Sequence, residues 1–266
     1  MKKNSCEKIV LEKGAMDVYD FGTVRLHAYR TNDAINDEVF FFEKEGKAVA
    51  LESPCFFDNY KELTEYFAQR NIAVEAMLIS YHMAGGTYLP GVRKYATQNA
   101  VKYGTSGGGK AIVDGFTQAF GAAFDEKPHE ITDVISAGKI TLCGIDFLIS
   151  PTQDAFDVEI PEIHAVYTHM LGHDCHSIVA GADHADAMIA QLEDFKEKGY
   201  TLILTSHYTP EDLKDAETKI AYLKDLKAAA SQCTDKSSFL TEMKRRFPGY
   251  AGENYLEMTA GFFFGS

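Results

Sequence analysis

Histidines dominate the residues of this chain that could do chemistry. His169, His173 and His176 follow one another at spacings of four and three residues, with Asp174 and Cys175 between them. Such spacings put side chains on one side of a helix. Imidazole and carboxylate groups are ligands that zinc and iron accept. The cluster therefore predicts a metal centre, and the alternative is that these histidines cap helices or satisfy buried backbone groups.

Two further histidines stand where buried strands are predicted to end. His82 follows the apolar run Val74–Ser80, and His207 follows Thr201–Thr205. Short apolar runs of this kind are typical of strands inside a sheet. We expect the two strand ends to meet at one hollow. The complete predicted set of ligands for zinc or iron is His82, His169, His173, His176 and His207.

A metal held there would favour hydrolysis, because a bound cation activates water and polarises a carbonyl or phosphoryl oxygen. Asp174 or Asp154 is predicted to orient the water. Tyr81 or Tyr208 is predicted to donate a hydrogen bond to the developing oxyanion. For either tyrosine the alternative is packing at the rim of a pocket.

Hydrophobic patterning predicts strands that alternate with helices. Alternation over Val18–Tyr29, and the pair Glu38–Phe42 and Lys47–Leu51 around a turn, predict an antiparallel meander. Helical spacing predicts helices in five places: Asp58–Arg70, from about Thr97, Ala182–Lys198, Asp212–Ala230 and Lys236–Arg246. Other strands are expected at Val74–Ser80, Val92–Ala96, within Ile131–Ile149, at His164–Thr168 and at Thr201–Thr205. This order of strands and helices is typical of two packed sheets with helices on both outer faces.

Length and composition favour a soluble globular protein. The chain has 266 residues, 45% of them hydrophobic and 24% charged. Since no low-complexity linker divides it, we predict one domain over residues 1–266 with a C-terminal helical extension from about residue 231. Apolar runs such as Phe262–Phe264 are far shorter than the roughly 20 residues that cross a bilayer. Met1–Lys13 lacks the apolar stretch of a signal peptide.

Charge and cysteine content limit the kinds of binding partner and the cellular location expected for the protein. The 26 basic and 39 acidic residues give a net charge of −13, which repels phosphate backbones and argues against nucleic-acid binding. Five scattered cysteines without paired spacing predict reduced thiols and a cytoplasmic location. The aromatic tail at Tyr255 and Phe262–Phe264 predicts a homodimer if it docks on a second copy; the alternative is docking on its own chain.

A glycine-rich segment offers a different chemistry. Gly104–Lys110 matches the phosphate-binding loop pattern up to its lysine, but Ala111 stands where serine or threonine would hold magnesium. The preceding residues also favour a helix rather than a strand. Phosphate or nucleotide binding is therefore the weakest hypothesis, and a mobile loop leading into a helix over Ile112–Phe124 is favoured.

The order of these landmarks from Asp37 to about Lys227 resembles the metallo-β-lactamase superfamily of hydrolases. Val49–Ser53 resembles the strand that ends in Leu-Ile-Asp-x-Gly, and Ala165–Leu171 resembles the strand that ends in Thr-Gly-Asp. Leu204–Pro210 resembles the last ligand turn, Pro-Gly-His-Gly-x-Pro. The resemblance implies an α/β fold: a four-layer αβ/βα sandwich of two mixed β-sheets with helices on both outer faces. It also implies a small-molecule substrate.

The resemblance fails at most of the metal ligands. In Leu78–Gly86 only His82 and the two glycines match Thr-His-x-His-x-Asp-His-x-Gly-Gly. Gln153 stands where a ligand histidine is expected, and Met170 stands at the bridging aspartate. We therefore predict a hydrolase-like protein whose dinuclear site is altered or lost. The alternative is a non-catalytic small-molecule-binding protein without a metal, with Gln153, Asp154 and Met170 lining its pocket.

Overall fold

The computed structural model describes residues 6–265. The chain divides into two compact units, and each is described separately. The first unit extends to His169 and includes Ser206–Thr209, and the second comprises Met170–Thr205 and the chain from Pro210 onward. The organisation as one domain with a C-terminal extension stays a prediction.

The first unit contains an eight-stranded sheet whose strands follow chain order. They are β1 (Cys6–Val10), β2 (Ala15–Asp20), β3 (Arg25–Arg30), β4 (Glu38–Lys44), β5 (Lys47–Leu51), β6 (Ala73–Leu78), β7 (Arg93–Thr97) and β8 (Asp133–Ile135). Strands β1 to β5 pair antiparallel, and β5 to β8 pair parallel. The sheet is therefore mixed, and the parallel strands β5 and β6 end on the same side.

A second sheet in this unit packs face to face on the first. Its antiparallel strands are β9 (Gly138–Leu142), β10 (Ile145–Pro151), β11 (Phe156–Ile160) and β12 (Ala165–Tyr167). The ring of Phe42 lies 5.5 Å from that of Phe147, centroid to centroid. The Ser80 hydroxyl donates to the Phe156 carbonyl oxygen at 2.6 Å. Interdigitated side chains of this kind form the core of a sandwich.

Helices of the first unit are α1 (Phe57–Gln69), α2 (Gln98–Ser106) and α3 (Gly108–Phe120). Leu63, Tyr66 and Phe67 of α1 are buried against the first sheet, because their spacing places them on one face of the helix. Thr97 caps α2 by accepting a hydrogen bond from the Ala100 N–H.

The second unit is mainly helical. It contains α4 (Ala182–Lys198), β13 (Leu202–Thr205), α5 (Leu213–Gln232), α6 (Lys236–Arg246) and α7 (Glu253–Phe264), and β14 (Tyr208–Glu211) spans the boundary between the units. In α7 the rings of Phe263 and Phe264 lie 6.1 Å and 5.5 Å from the ring of Phe239, whereas Phe262 is 56% exposed. Much of the aromatic tail therefore packs within its own unit, and the homodimer stays a prediction.

The sequence predicted the main helices closely but missed several strands. The alternating segment Val18–Tyr29 covers parts of two strands, β2 and β3, because the chain turns where the Phe21 N–H donates to the Val24 carbonyl and Gly22 takes a positive φ. Strands β1, β11 and β14 were not predicted. In β11, buried residues alternate with half-buried ones, so the period-two signal was present in the sequence.

The predicted glycine-rich loop is instead two helices separated at Gly107. A Cβ at Gly104 would lie 2.3 Å from the Met83 Cβ, and a Cβ at Gly109 would lie 2.7 Å from the Tyr103 ring. These two glycines therefore allow close packing. The strand and loop that normally cradle phosphate do not precede α3. Among residues 6–265, no helix has the length and apolar character needed to cross a membrane.

Candidate metal centre

Three of the predicted histidines converge in the first unit. His82 lies on the loop after β6, His169 follows β12, and His207 precedes β14. One ring nitrogen from each lies within 4.8 Å of the others. The ring centroids are 5.0 Å apart for His82 and His207, 5.1 Å for His169 and His207, and 5.5 Å for His82 and His169.

This triangle matches the requirements of a tetrahedral metal. With metal–nitrogen bonds of about 2.0–2.1 Å and tetrahedral angles, the centroids of three bound imidazoles would lie about 5 Å apart. All three histidines are partly buried. Three imidazoles with one open position are a donor set that fits zinc or iron.

A buried aspartate supports two of these rings. Asp37 is fully buried, and its Oδ1 lies 3.2 Å from His207 Nδ1 while its Oδ2 lies 3.6 Å from His82 Nδ1. Among the described residues, neither Asp37 oxygen nor His82 Nδ1 forms a hydrogen bond, so these are close ion-pair contacts. A carboxylate behind a ligand histidine fixes the tautomer and orients the other ring nitrogen toward a metal.

Backbone pairing explains how Asp37 reaches this position. It immediately precedes β4, where the Glu38 N–H donates to the Ser206 carbonyl oxygen at 2.7 Å. The Thr31 N–H donates to the Asp37 carbonyl oxygen at 3.0 Å. Asp37 is therefore held beside the turn that carries His207.

A second buried carboxylate holds the loop that carries His82. Glu52 is fully buried and has a φ of +64° at the end of β5. Its two oxygens accept hydrogen bonds from four donors: the N–H groups of Ser80, Tyr81 and His82 at 3.2, 2.7 and 3.2 Å, and the Tyr167 hydroxyl at 2.7 Å. Positive φ in a non-glycine residue is uncommon and clusters at functional sites. Glu52 is therefore a positioning residue for His82.

Tyr81 packs on the third histidine. Its ring stacks on His169 with centroids 4.3 Å apart, and its hydroxyl shares a hydrogen bond of 2.9 Å with Thr152 Oγ1. Burial raises the pKa of Tyr81 to about 12, so the hydroxyl keeps its proton. The Tyr81 side chain is therefore held both at its ring and at its hydroxyl. Its role as a hydrogen-bond donor to an oxyanion stays a prediction.

The electrostatic surroundings of the histidines differ. Burial lowers the pKa of His169 well below its ordinary value, and the neighbouring His207 and His82 lower it further. Burial alone would lower the pKa of His207, but the nearby carboxylates of Asp37, Glu52 and Asp33 outweigh burial and raise it.

The other predicted site residues are not among the three converging histidines. Gln153 and Asp154 are exposed on the loop between β10 and β11, and Tyr208 begins β14 in the first unit. Met170 and Asp174 belong to the second unit. His176 is buried in that unit, with its Nδ1 3.1 Å from the Tyr222 hydroxyl oxygen. Their proposed catalytic, pocket and metal roles stay predictions.

His173 belongs to a separate group in the second unit, with Glu211 and Asp215. The His173 N–H and its Nδ1 lie 2.7 Å and 2.8 Å from Glu211 Oε1. One helical turn beyond Asp215, the buried Lys219 donates to the carbonyl oxygens of Gly172 and Cys175, at 2.8 Å each. Burial lowers the pKa of Lys219 to about 8. These contacts hold the 172–175 loop in place. They give the group of His173, Glu211 and Asp215 a structural role.

Asp37 and Glu52 are the site residues that the sequence analysis did not identify as functional. Glu52 lies in the segment that resembles Leu-Ile-Asp-x-Gly, and that resemblance predicts no role for it. The available signal was positional, because Asp37 comes directly before the apolar strand β4 and Glu52 directly after the apolar strand β5. Charged residues at such positions are rarely buried without a partner.

Comparisons with known proteins agree on the architecture. No protein-family model and no curated protein sequence matches the chain. Among solved structures, it is similar to the stereoselective inverting sec-alkylsulfatase Pisa1 from Pseudomonas sp., with a TM-score of 0.61 and 14% identity over 90% of this chain. The chain spans about half the length of that protein, 49%.

Two shorter proteins are similar over nearly their whole length. A metallo-β-lactamase from Erythrobacter litoralis has a TM-score of 0.57 and 13% identity, over 82% of this chain and 100% of its own. A metallo-β-lactamase family protein from Thermus thermophilus has a TM-score of 0.58 and 11% identity, over 88% of this chain and 91% of its own. At these identities the likeness concerns the fold alone. This chain, an α/β protein with two packed β-sheets, has the metallo-β-lactamase fold.

Proposed function

We propose that this protein is a metal-dependent hydrolase in which His82, His169 and His207 hold a single zinc or iron ion. The observation that carries the proposal is the triangle of imidazoles, 5.0–5.5 Å between centroids, with the buried Asp37 behind two of them. The hydrolases among the similar structures support the reaction class by analogy.

An ion at this position would supply Lewis-acid activation of water and of the scissile group. The protein's own residues would prepare the site for it. Asp37 would accept hydrogen bonds from the Nδ1–H groups of His82 and His207, which leaves each Nε2 lone pair available for the metal. Glu52 holds the His82 loop through three backbone N–H groups. Tyr81 covers one face of His169 and excludes water from it.

Metal analysis tests the proposal directly. Protein purified from zinc- or iron-supplemented cells and dialysed against metal-free buffer should retain about one equivalent per chain. His82→Ala combined with His207→Ala should reduce this below about 0.1 equivalent. The matched control is His184→Gln, which alters an exposed histidine of α4. His173→Ala should leave the metal content unchanged if its group only clamps the loop.

Activity provides the second readout. Metal-loaded protein should hydrolyse at least one member of a panel of nitrophenyl esters, sulfates and phosphates, and the double variant should not. Protein that takes up no metal under any condition would refute the proposal and favour the non-catalytic small-molecule-binding alternative. Two equivalents that both depend on His82 and His207 would instead indicate a dinuclear centre.

A further inference from the structure

The first unit contains a cavity of about 660 Å³ at the end of its first sheet that lies away from the histidines. Gly46 and Ile72 line the cavity, and they come directly before the parallel strands β5 and β6. Glu52 and His82, in contrast, come after those strands. The volume lies within the range of about 300–1,000 Å³ that is usual for small-molecule sites. We propose that this cavity is a second ligand site, which binds a small monocarboxylate with an apolar body.

The lining of the cavity includes a buried histidine with an unused ring nitrogen. His27 is 2% exposed, and its Nδ1 lies 2.8 Å from the Tyr66 hydroxyl oxygen. Among the described residues, His27 Nε2 has no hydrogen-bond partner. Burial, and then the charges of Arg70 and Arg25, lower the pKa of His27 to about 4, while burial raises the pKa of Tyr66 to about 12. Both side chains are therefore neutral near pH 7.

The direction of the hydrogen bond between Tyr66 and His27 decides what the histidine offers to a ligand. Within the described part of the chain, His27 Nδ1 is the only acceptor for the proton of the Tyr66 hydroxyl. We therefore assign this hydroxyl as the donor, which places the ring proton of His27 on Nε2. A buried N–H without an acceptor carries a desolvation cost that a ligand oxygen would remove. The cavity thus favours a ligand that presents an acceptor oxygen.

Arg70 adds a positive charge to this donor. Its guanidinium carbon lies 4.0 Å from the centroid of the Tyr66 ring. Arg25, the other arginine of the lining, pairs with Glu43 at 3.2 Å and with Asp20 at 3.7 Å. Arg70 forms no such ion pair with a carboxylate of residues 6–265. Because Tyr66 contacts Arg70 through its ring and the imidazole through its hydroxyl, a carboxylate in the cavity can bind both the cation and the Nε2–H group.

The remaining side chains limit the charge of the ligand and favour an apolar body. Glu7, Asp20 and Glu43 also line the cavity, and they repel a ligand with several negative charges, such as a nucleotide. Val18 and Ile72 supply apolar surface. A single carboxylate on an apolar body therefore matches the lining better than a polyanion or a cation.

Hydrocinnamate and its neutral amide test the inference, because they share one apolar body and differ in charge. Binding is measured by calorimetry on metal-free protein in EDTA, so that the carboxylate cannot bind a metal ion. We expect one site per chain and a Kd for the acid at least about tenfold below that of the amide. Arg70→Gln, at an exposed position, should weaken binding of the acid about tenfold and leave the amide unchanged. His27→Phe should weaken it about threefold or more. Arg93→Gln, at an exposed arginine of β7 outside the cavity, is the matched control and should change neither Kd.

Other results would overturn the inference. Failure of hydrocinnamate to bind, or equal affinity for the acid and the amide, would show that the cavity is not a carboxylate site. An Arg70→Gln variant that binds the acid as tightly as the wild-type protein would refute the assigned contacts. Tighter binding of phenyl phosphate than of hydrocinnamate would contradict the preference for a single charge. Binding that is lost in the double variant His82→Ala and His207→Ala would place the acid at the histidines instead. The metal content tests the proposed function separately, since the cavity contains none of those histidines.

Discussion

Replacement of Asp37 by asparagine should separate metal affinity from folding stability. The Asp37 carboxylate lies 3.2 Å from His207 Nδ1 and 3.6 Å from His82 Nδ1, and it is fully buried. Loss of a carboxylate behind ligand histidines typically weakens metal binding by 10- to 100-fold, which corresponds to about 1.4–2.7 kcal/mol. Because two ligand rings share this carboxylate, we expect a value toward the upper end for Asp37→Asn.

The metal-free protein should respond differently. Among the described residues, the Asp37 oxygens have no hydrogen-bond partner, and a buried carboxylate without such partners carries a desolvation cost. The free energy of unfolding of metal-free Asp37→Asn should therefore equal or exceed that of the wild-type protein.

Two measurements check this pair of expectations. Zinc Kd is obtained by competition with a chromophoric chelator, and the free energy of unfolding is obtained from urea titrations in EDTA at pH 8. Asp20→Asn, at an exposed aspartate of β2, is the control and should change neither. A zinc Kd within twofold of wild type would refute the supporting role of Asp37. A loss of several kcal/mol in the metal-free variant would show that Asp37 serves the fold instead.

Three further predictions concern stability. Glu52→Gln should lower the free energy of unfolding of the metal-free protein by about 3 kcal/mol in urea titrations. The reason is that an amide has one acceptor oxygen for the four donors that Glu52 binds. A loss below about 1 kcal/mol would contradict this account. Burial, and then the charges of Arg70 and Arg25, lower the pKa of His27 to about 4 in the folded protein. As the pH falls below about 6.5, His27 is therefore protonated in the unfolded state but not yet in the folded state. This residue should therefore lower the free energy of unfolding by about 2 kcal/mol between pH 7 and pH 5. The decrease over that range should be smaller by about this amount in His27→Gln, and equal decreases in the variant and the wild-type protein would refute the assignment. Lys219→Met should lower the free energy of unfolding by about 2 kcal/mol in urea titrations, since two buried carbonyl oxygens lose their donor. The same variant should keep the metal content of the wild-type protein. A fall in metal content would connect the contacts that hold the 172–175 loop to the metal centre.

The sequence by itself determined most of the secondary structure and the positions of the histidines on strand ends. Helices α1, α4, α5 and α6 could be predicted because each has apolar residues at helical spacing and a recognisable end, such as the Asp212 capping box of α5. The apolar runs before His82 and His207 predicted buried strands for the same local reason. The landmarks between Asp37 and about Lys227 also predicted the fold, which the similar solved structures confirm.

Only the tertiary structure decided which polar groups meet. His169, His173 and His176 share a local spacing, yet His169 lies with His82 and His207 while His173 contacts Glu211. After β12 ends at Tyr167, the chain forms no helix through His169, His173 and His176 that would have kept the three together. The supporting carboxylates could not be predicted either, since Glu52 reaches the His82 loop across parallel strands, and Asp37 reaches His207 only because Glu38 pairs with Ser206. Local periodicity specifies burial and direction along one element, whereas long-range backbone pairing specifies the neighbours of a side chain.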